Sequence, residues 1–306
     1  MSKRLILGSE EHKTLLCRTF IDTHDPFKPE AIRWPDLDDE GLARLKAMPV
    51  WNEATRTEAA TAVKVQSLGD TEEDPLLAEA ISLQGYEEGR HAEVLQLLTK
   101  HYGIPVAPYP PPEVPKDPTL AFLRTGYGEC LDSFFAFGLF RLGVDARIFP
   151  KALTDVFDQI MQEEARHIQF IVNWAAYLRA RRPVLLRPGF DLWRGWNIVA
   201  QAFDRLKGAL AMAGGGGDDE KKDEKKDESG RDASQDGFTL KAHSIFGDFS
   251  LRSFLQTCLS ENDRRLSVYD ERLLRPMLVP SVVKAMIKVL PRKKRASKPE
   301  PDAKAA

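Results

Sequence analysis

The sequence predicts an all-α protein built around a four-helix bundle, and three observations support this prediction. Between about Val50 and Arg182, apolar residues recur with the 3.6-residue period of amphipathic helices in four separate stretches. A proline-rich segment, residues 104–118, separates the second stretch from the third. Two of the predicted helices carry the same pattern, Glu-Glu-x-Arg-His, in line with apolar residues that face the interior.

The chain divides into a bundle over residues 48–183 and several flanking segments. Residues 1–47 mix prolines with aromatic residues, which predicts an irregular arm packed on the bundle. Residues 214–237 begin with four glycines and continue with charged residues, a composition typical of a disordered linker. The remaining predicted segments are an additional helix over 184–213, C-terminal helices over 238–293 and a disordered basic tail over 294–306.

The order of the bundle helices follows from their ends and connections. Asp74 and Pro75 predict an N-cap followed by proline in the first turn of the second helix. Residues 104–118 contain seven prolines and, as polyproline II, would reach about 45 Å. A twenty-residue helix is only about 30 Å long, so this crossover is long enough to traverse a bundle. We therefore expect two antiparallel helix pairs joined by one long crossover.

Composition and charge exclude several classes of protein. The formal net charge of −2 gives no indication of nucleic-acid binding. The three cysteines, Cys17, Cys130 and Cys258, form no CxxC pair, which argues against a disulfide framework or a zinc ribbon. No apolar run is long enough for a signal peptide or a spanning helix. We expect a soluble cytoplasmic protein.

The repeated motif places a carboxylate and an imidazole on one face of each of two helices. Glu88 and His91 are three residues apart, as are Glu164 and His167. Two such pairs on neighbouring helices, in line with apolar residues, are typical of a site for metal ions that prefer mixed oxygen and nitrogen ligands.

The bundle architecture requires one further inward-facing glutamate on each of the other two helices. In the third helix the candidate is Glu129, its only glutamate, and nearby Asp132 is expected to support the site from outside. In the first helix Glu58 shares the apolar face of Trp51 and Val65. Glu53 remains an alternative, because its spacing to Glu88 equals that between Glu129 and Glu164.

These residues together resemble the ferritin-like diiron carboxylate superfamily. Glu58, Glu129 and the two Glu-x-x-His pairs are similar to its set of four carboxylates and two histidines. The resemblance implies a ferritin-like four-helix bundle holding two iron ions; a manganese–iron pair would use the same ligands.

The resemblance also suggests roles for residues next to the ligands. The Glu-Glu-x-Arg-His form is similar to the Asp-Glu-x-Arg-His of the bacterial diiron monooxygenases, and it implies that Glu87 and Glu163 support the histidines. Glutamate in place of aspartate leaves the partner of each histidine open. A surface lattice of ion pairs remains the alternative for Glu87, Glu163, Arg90 and Arg166.

Ser133 and the phenylalanines after it are the remaining candidates. Ser133 lies one turn after Glu129, where oxygen-activating members of the superfamily often carry a hydroxyl that helps to deliver protons. A small residue required for packing is the alternative. The run Phe134–Phe140 predicts bundle core first and a hydrophobic substrate pocket second.

The expected function is that of an O₂-dependent diiron oxidase, oxygenase or hydroxylase that acts on an unidentified organic substrate, with a hydrophobic compound as one option. Iron handling of the ferroxidase type, and a metal-binding scaffold without catalysis, are the alternatives. An electron-donor protein and a homodimer are compatible with the sequence. The segment Val282–Arg295 joins an apolar face to a basic end, which would suit an anionic membrane surface, but an ordinary packing helix is the favoured interpretation.

Overall fold

The computed structural model describes residues 5–48, 50–214 and 251–290, with side chains described to residue 200 in the seventh helix. These ranges contain nine α-helices and no strand, so the prediction of an all-α protein is confirmed for them. The helices are α1 (Glu10–Asp22), α2 (Asp39–Ala47), α3 (Trp51–Gly69), α4 (Pro75–His101), α5 (Pro118–Asp145), α6 (Lys151–Arg181), α7 (Arg187–Gly214), α8 (Leu251–Leu266) and α9 (Leu278–Val289).

The N-terminal arm is more regular than the sequence indicated. It contains α1, a short 3₁₀ helix at Pro29–Ala31 and α2, because Ser9 and Asp38 supply N-caps that the proline content obscured. Leu16 and Phe20 of α1 are buried in the same cluster as residues of α3, α4, α5 and α6. The arm therefore forms part of the core.

Helices α3 and α4 form a tightly packed antiparallel pair. Asp74 caps α4 by accepting from the backbone N–H groups of Leu76 and Leu77, as predicted. A Cβ on Gly69 would lie 2.4 Å from Ser82 Oγ, and one on Gly85 would lie 3.0 Å from the backbone nitrogen of Gln66. Glycine at these positions allows the two backbones to approach closely.

Helices α5 and α6 are joined by a short turn and also pack closely. A Cβ on Gly126 would lie 2.2 Å from Ile171 Cγ2. No helix or strand is assigned to residues 104–117, which connect α4 to α5, and Asn52 at the start of α3 accepts a hydrogen bond from Ala107 N.

The C-terminal helices α8 and α9 cover the second half of α5. A Cβ on Gly138 would lie 2.3 Å from Cys258 Sγ of α8, and Phe134 and Leu139 are buried with Phe254 and Val283. The predicted linker, residues 214–237, lies outside the described residues except for residue 214, and the predicted tail, residues 294–306, lies wholly outside them. Of the predicted C-terminal segment 238–293, residues 251–290 are described. In the part of the chain that is described, no helix combines the length and apolarity needed to cross a bilayer.

Candidate metal centre

The two Glu-x-x-His pairs lie on α4 and α6 and come together inside the bundle. Glu88 and His91 are one turn apart on α4, and Glu164 and His167 are one turn apart on α6. All four residues are buried, with exposed fractions of 9% or less. The two imidazole ring centroids are 5.7 Å apart, so the two halves of the repeat meet in one place.

Four of the predicted ligands form a compact group of donor atoms. The group consists of Glu58 on α3, Glu88 and His91 on α4 and Glu164 on α6, with one donor atom of each within 4.8 Å of the others. His91 Nδ1 lies 3.2 Å from Glu164 Oε1 and 3.6 Å from Glu58 Oε2. Carboxylate oxygens and an imidazole nitrogen so arranged could hold a metal ion.

His167 and Glu129 border this group. His167 Nδ1 lies 3.0 Å from Glu88 Oε1 and 3.7 Å from Glu164 Oε1. The Oε1 atom of Glu164 is therefore near the Nδ1 atoms of both histidines. Burial holds the pKa of Glu129 well above its usual range, and the nearby charges of Glu88 and Glu164 act in the same direction.

The glutamate before each pair supports the histidine of the other helix. Glu163 Oε2 lies 2.7 Å from His91 Nε2, and Glu87 Oε2 lies 2.9 Å from His167 Nε2. A carboxylate accepts a hydrogen bond, so the proton on each ring belongs on Nε2. This arrangement directs both Nδ1 atoms towards the ligand carboxylates.

The two arginines of the motif are buried and repeat the same exchange between helices. Arg90 Nη2 donates to Glu163 Oε1 at 2.5 Å, and Arg166 Nη2 donates to Glu87 Oε1. Each arginine is only 3% exposed. Glu87, Glu163 and the two arginines are all buried, so the alternative of a surface ion-pair lattice is wrong for them. Buried charges are costly unless they are paired, and here each arginine is paired with a glutamate.

The protonation of the centre reflects several carboxylates in a buried space. Burial raises the pKa of Glu58 to about 8, and the charges of Glu164 and Glu88 act in the same direction against the contact with His91. Burial alone would lower the pKa of His91, but its contacts with Glu163, Glu164 and Glu58 hold that pKa well above the usual value. Burial would raise the pKa of Glu87, but His167 and Arg166 outweigh it and hold that pKa well below the usual value.

The buried donor atoms fit a bound cation better than they fit one another. The buried atoms without a hydrogen-bond partner include His91 Nδ1, His167 Nδ1, Glu164 Oε1 and both carboxylate oxygens of Glu129. Orphaned buried polar atoms are costly, and here they belong to the predicted ligands. A metal ion would satisfy them and would neutralise the excess negative charge.

Glu58 and Glu53, the two candidates on α3, occupy different environments. Glu58 lies in the compact group. Its side chain is 24% exposed, which is more than the side chains of Glu88, His91 and Glu164. Glu53 accepts hydrogen bonds from Arg56 and Thr57 on its own helix. The geometry places Glu58, and not Glu53, against His91.

The other residues predicted on α5 are placed as follows. Asp132 is half-buried. Burial raises the pKa of the Cys130 thiol to about 12, with smaller contributions from the charges of Glu129 and then Asp132. Ser133 is 6% exposed, one turn beyond Glu129. Phe134 packs against α8 and α9, and Phe137 packs with Ala165 and Ile168 of α6. These two rings serve the core, while the supporting role of Asp132 and the chemical role of Ser133 stay predictions.

Sequence reasoning missed His24 as part of this site. Its Nδ1 atom is hydrogen-bonded to Glu87 Oε1. Residues on either side of His24 also contact the two arginines. Arg166 donates to the carbonyl oxygen of Thr23, and the guanidinium of Arg90 lies 4.0 Å from the ring centroid of Phe27. No spacing rule could have found these contacts, since the partners are more than sixty residues away in sequence.

Comparisons with known proteins leave the centre to be interpreted from its own geometry. No protein-family model, no curated protein sequence and no solved structure shows a significant match to this chain.

Proposed function

We propose that this chain is a ferritin-like diiron protein that catalyses the O₂-dependent oxidation of an organic substrate. One observation carries the proposal. The structure brings the two Glu-x-x-His pairs together and leaves both Nδ1 atoms, Glu129 and Glu164 Oε1 without hydrogen-bond partners.

The balance of charge supports two divalent cations. Arg90 and Arg166 neutralise Glu163 and Glu87, respectively. The carboxylates that remain at the centre belong to Glu58, Glu88, Glu129 and Glu164. Four carboxylates and two neutral imidazoles match the charge of two divalent ions, and this donor set suits iron or a manganese–iron pair.

The contribution of the chain is to hold these donors in fixed positions. Glu163 and Glu87 fix the orientation and tautomer of His91 and His167, which raises the basicity of each Nδ1 atom. Buried Ser133, one turn beyond Glu129, is the proposed hydroxyl for proton delivery. Two ferrous ions, when bound, would supply the electrons that reduce O₂.

The decisive experiment is an anaerobic titration of the purified chain with Fe(II), with bound iron counted by elemental analysis and characterised by Mössbauer spectroscopy of ⁵⁷Fe. The expected result is two ions per chain, followed by rapid oxidation of both ions when O₂ is admitted. Glu88→Ala and His167→Ala should each lower the number of bound ions. Glu53→Ala is the matched control on α3 and should bind iron as the parent chain does.

Two results would contradict the proposal. Failure of the parent chain to bind iron, or binding that survives both ligand substitutions, would remove the metal centre. Continued uptake of iron far beyond two ions per chain after O₂ is admitted would instead identify an iron-handling protein.

A further inference from the structure

A short segment of the N-terminal arm, residues 23–27, lies against the residues that support the proposed ligands. Arg166 donates a hydrogen bond to the carbonyl oxygen of Thr23. The imidazole of His24 is hydrogen-bonded through Nδ1 to Glu87 Oε1. The segment therefore contacts a buried arginine and a buried glutamate of the centre from outside helices α3 to α6.

The two supporting glutamates differ, because the arm contacts only one of them. Glu87 Oε1 accepts a hydrogen bond from Arg166 and a second one from His24. In the part of the chain that the structure describes, Glu163 is hydrogen-bonded to one histidine and one arginine and to no residue of the arm. The exchange between α4 and α6 is thus repeated twice, but the arm adds a further partner on one side only.

The arm also packs against the ligand histidine on that same side. The ring centroids of Phe20 in α1 and of His167 are 5.9 Å apart, and the guanidinium of Arg166 lies 4.9 Å from the ring centroid of Phe20. Phe20 is 1% exposed. The arm therefore contacts His167 directly through Phe20 and indirectly through His24 and Glu87.

His24 is placed to donate a hydrogen bond to a carboxylate that solvent does not reach. A carboxylate oxygen only accepts, so His24 Nδ1 carries the proton of this bond. The side chain of His24 is 18% exposed, whereas that of Glu87 is fully buried. The ring of Tyr86 in α4 lies edge-on to the imidazole, with the ring centroids 6.4 Å apart. His24 thus connects the surface of the arm to the interior of the centre.

We infer that His24 is a positioning residue for the His167 half of the centre, which it serves by holding Glu87 in place. The inference rests on the proposed function, because it assigns His167 to one of two bound metal ions. Partners that orient a ligand histidine contribute about 10- to 100-fold to metal affinity. Because the arm contacts Glu87 and not Glu163 within the described ranges, loss of His24 should weaken the binding of one ion and spare the other.

A role limited to attaching the arm to the bundle is the alternative for His24. A neighbouring contact separates the two roles, because it attaches the arm without touching Glu87. Gln159 Nε2 of α6 lies 3.4 Å from the carbonyl oxygen of Asp25 and 3.3 Å from its Oδ2 atom. Gln159→Ala therefore loosens the arm beside His24 but leaves Glu87 with all its partners.

The test is anaerobic titration of the full-length chain with Fe(II), followed by Mössbauer spectroscopy of ⁵⁷Fe. His24→Phe keeps a ring and removes the donor. It should lower the affinity for one of the two ions about tenfold and alter one of the two ferrous quadrupole doublets. His24→Asn, whose amide can donate from near the position of Nδ1, should restore the behaviour of the parent chain. Gln159→Ala is the matched control and should bind both ions as the parent does.

A second comparison tests whether His24 acts through Glu87. Glu87→Gln has a single side-chain oxygen, which cannot occupy the positions facing both His167 and His24. Adding His24→Phe to this variant should cause little further loss of affinity, because both changes interrupt the same contact. Urea unfolding of the metal-free variants checks that they fold. His24→Ala, which removes the donor without adding bulk, gives the same comparison if the phenylalanine variant does not fold.

The inference is overturned, and the proposed function left standing, if the parent chain binds two ions and His24→Phe binds both as tightly. Equal weakening of both ions, or the same loss in Gln159→Ala as in His24→Phe, would also overturn it. Either result would limit His24 to attaching the arm. A parent chain that binds no iron would instead remove the proposed function and this inference together.

Discussion

At the scale of single residues, the centre depends on two buried glutamates that precede the proposed ligands. Glu163 contacts both His91 and Arg90, and Glu87 contacts both His167 and Arg166. Each carboxylate therefore fixes a histidine from one helix and neutralises an arginine. The two roles can be separated by a substitution that keeps the shape of the side chain and removes its charge.

Glu163→Gln is expected to weaken metal binding roughly 10- to 100-fold, as loss of a partner that orients a ligand histidine usually does. The amide can still accept from His91 Nε2, but it no longer neutralises buried Arg90. Competition with a chromogenic chelator measures the affinity. Glu53→Gln, outside the compact group, is the control, and equal affinities in the two variants would contradict the role assigned to Glu163.

At the scale of elements, the start of α4 is attached to α1 through one aspartate. Asp74 accepts from the N–H groups of Leu76 and Leu77 and also binds Lys13 of α1. The hydrogen bond from Lys13 is the main reason that the pKa of Asp74 is lowered. The same carboxylate thus caps one helix and pairs with another.

Because the pKa of Asp74 is lowered in the folded chain, its ion pair stabilises the protein above the unfolded pKa of about 3.9. This contribution should disappear as the pH falls through the lower, folded pKa. Asp74→Asn keeps the cap and should cost up to about 1 kcal/mol near neutral pH. Asp74→Ala should cost about 1 kcal/mol more. Urea unfolding at neutral and at acidic pH measures both, and a pH-independent cost of the Asn variant would refute the ion pair.

The glycines of α4 differ in what surrounds them, and this difference predicts opposite effects of alanine. Gly85→Ala places Cβ at 3.0 Å from the backbone nitrogen of Gln66, which cannot move without displacing α3. It should destabilise the fold by about 1–3 kcal/mol. Gly89→Ala meets only Ala62 Cβ at 3.9 Å and should stabilise α4 by up to about 1 kcal/mol. Thermal unfolding of the pair measures the contrast, and loss of stability in both would disprove it.

The elements that sequence could predict are those whose evidence is local. The Glu-x-x-His spacing predicts a shared helix face, and Asp74-Pro75 predicts the start of α4. The contact of His24 with Glu87 and the packing of Cys258 on Gly138 depend on how distant segments fold together. For the same reason the sequence could not exclude Glu53, because its spacing fits as well as that of Glu58 and only the packing of α3 on α4 separates them.

At the scale of the whole molecule, the centre links three helices through carboxylates that repel one another when no cation is present. Glu58, Glu88 and Glu164 come from α3, α4 and α6. A cation that binds them is therefore expected to stabilise the entire bundle, since the site exists only when these helices are packed together.

Anaerobic Fe(II) at one hundred times its dissociation constant should raise the free energy of unfolding by about 2.7 kcal/mol for each occupied position. Chemical denaturation with and without the ion measures this gain, and a chelator should reverse it. Glu88→Ala should abolish most of the gain. Equal stabilisation of parent and variant would show that the ion binds elsewhere.

The exchange of supports between α4 and α6 has a consequence for how such a centre can be assembled. Glu87 of the α3–α4 pair accepts a hydrogen bond from His167 of the α5–α6 pair, and Glu163 of α5–α6 accepts one from His91 of α3–α4. Neither helix pair alone therefore holds a complete half of the centre. Two identical helix pairs related by a two-fold axis would form the same glutamate–histidine hydrogen bonds across their interface, but only above the concentration at which they dimerise. In this chain, residues 104–117 link the two helix pairs covalently, so their association does not depend on protein concentration. The centre can therefore be completed at any dilution.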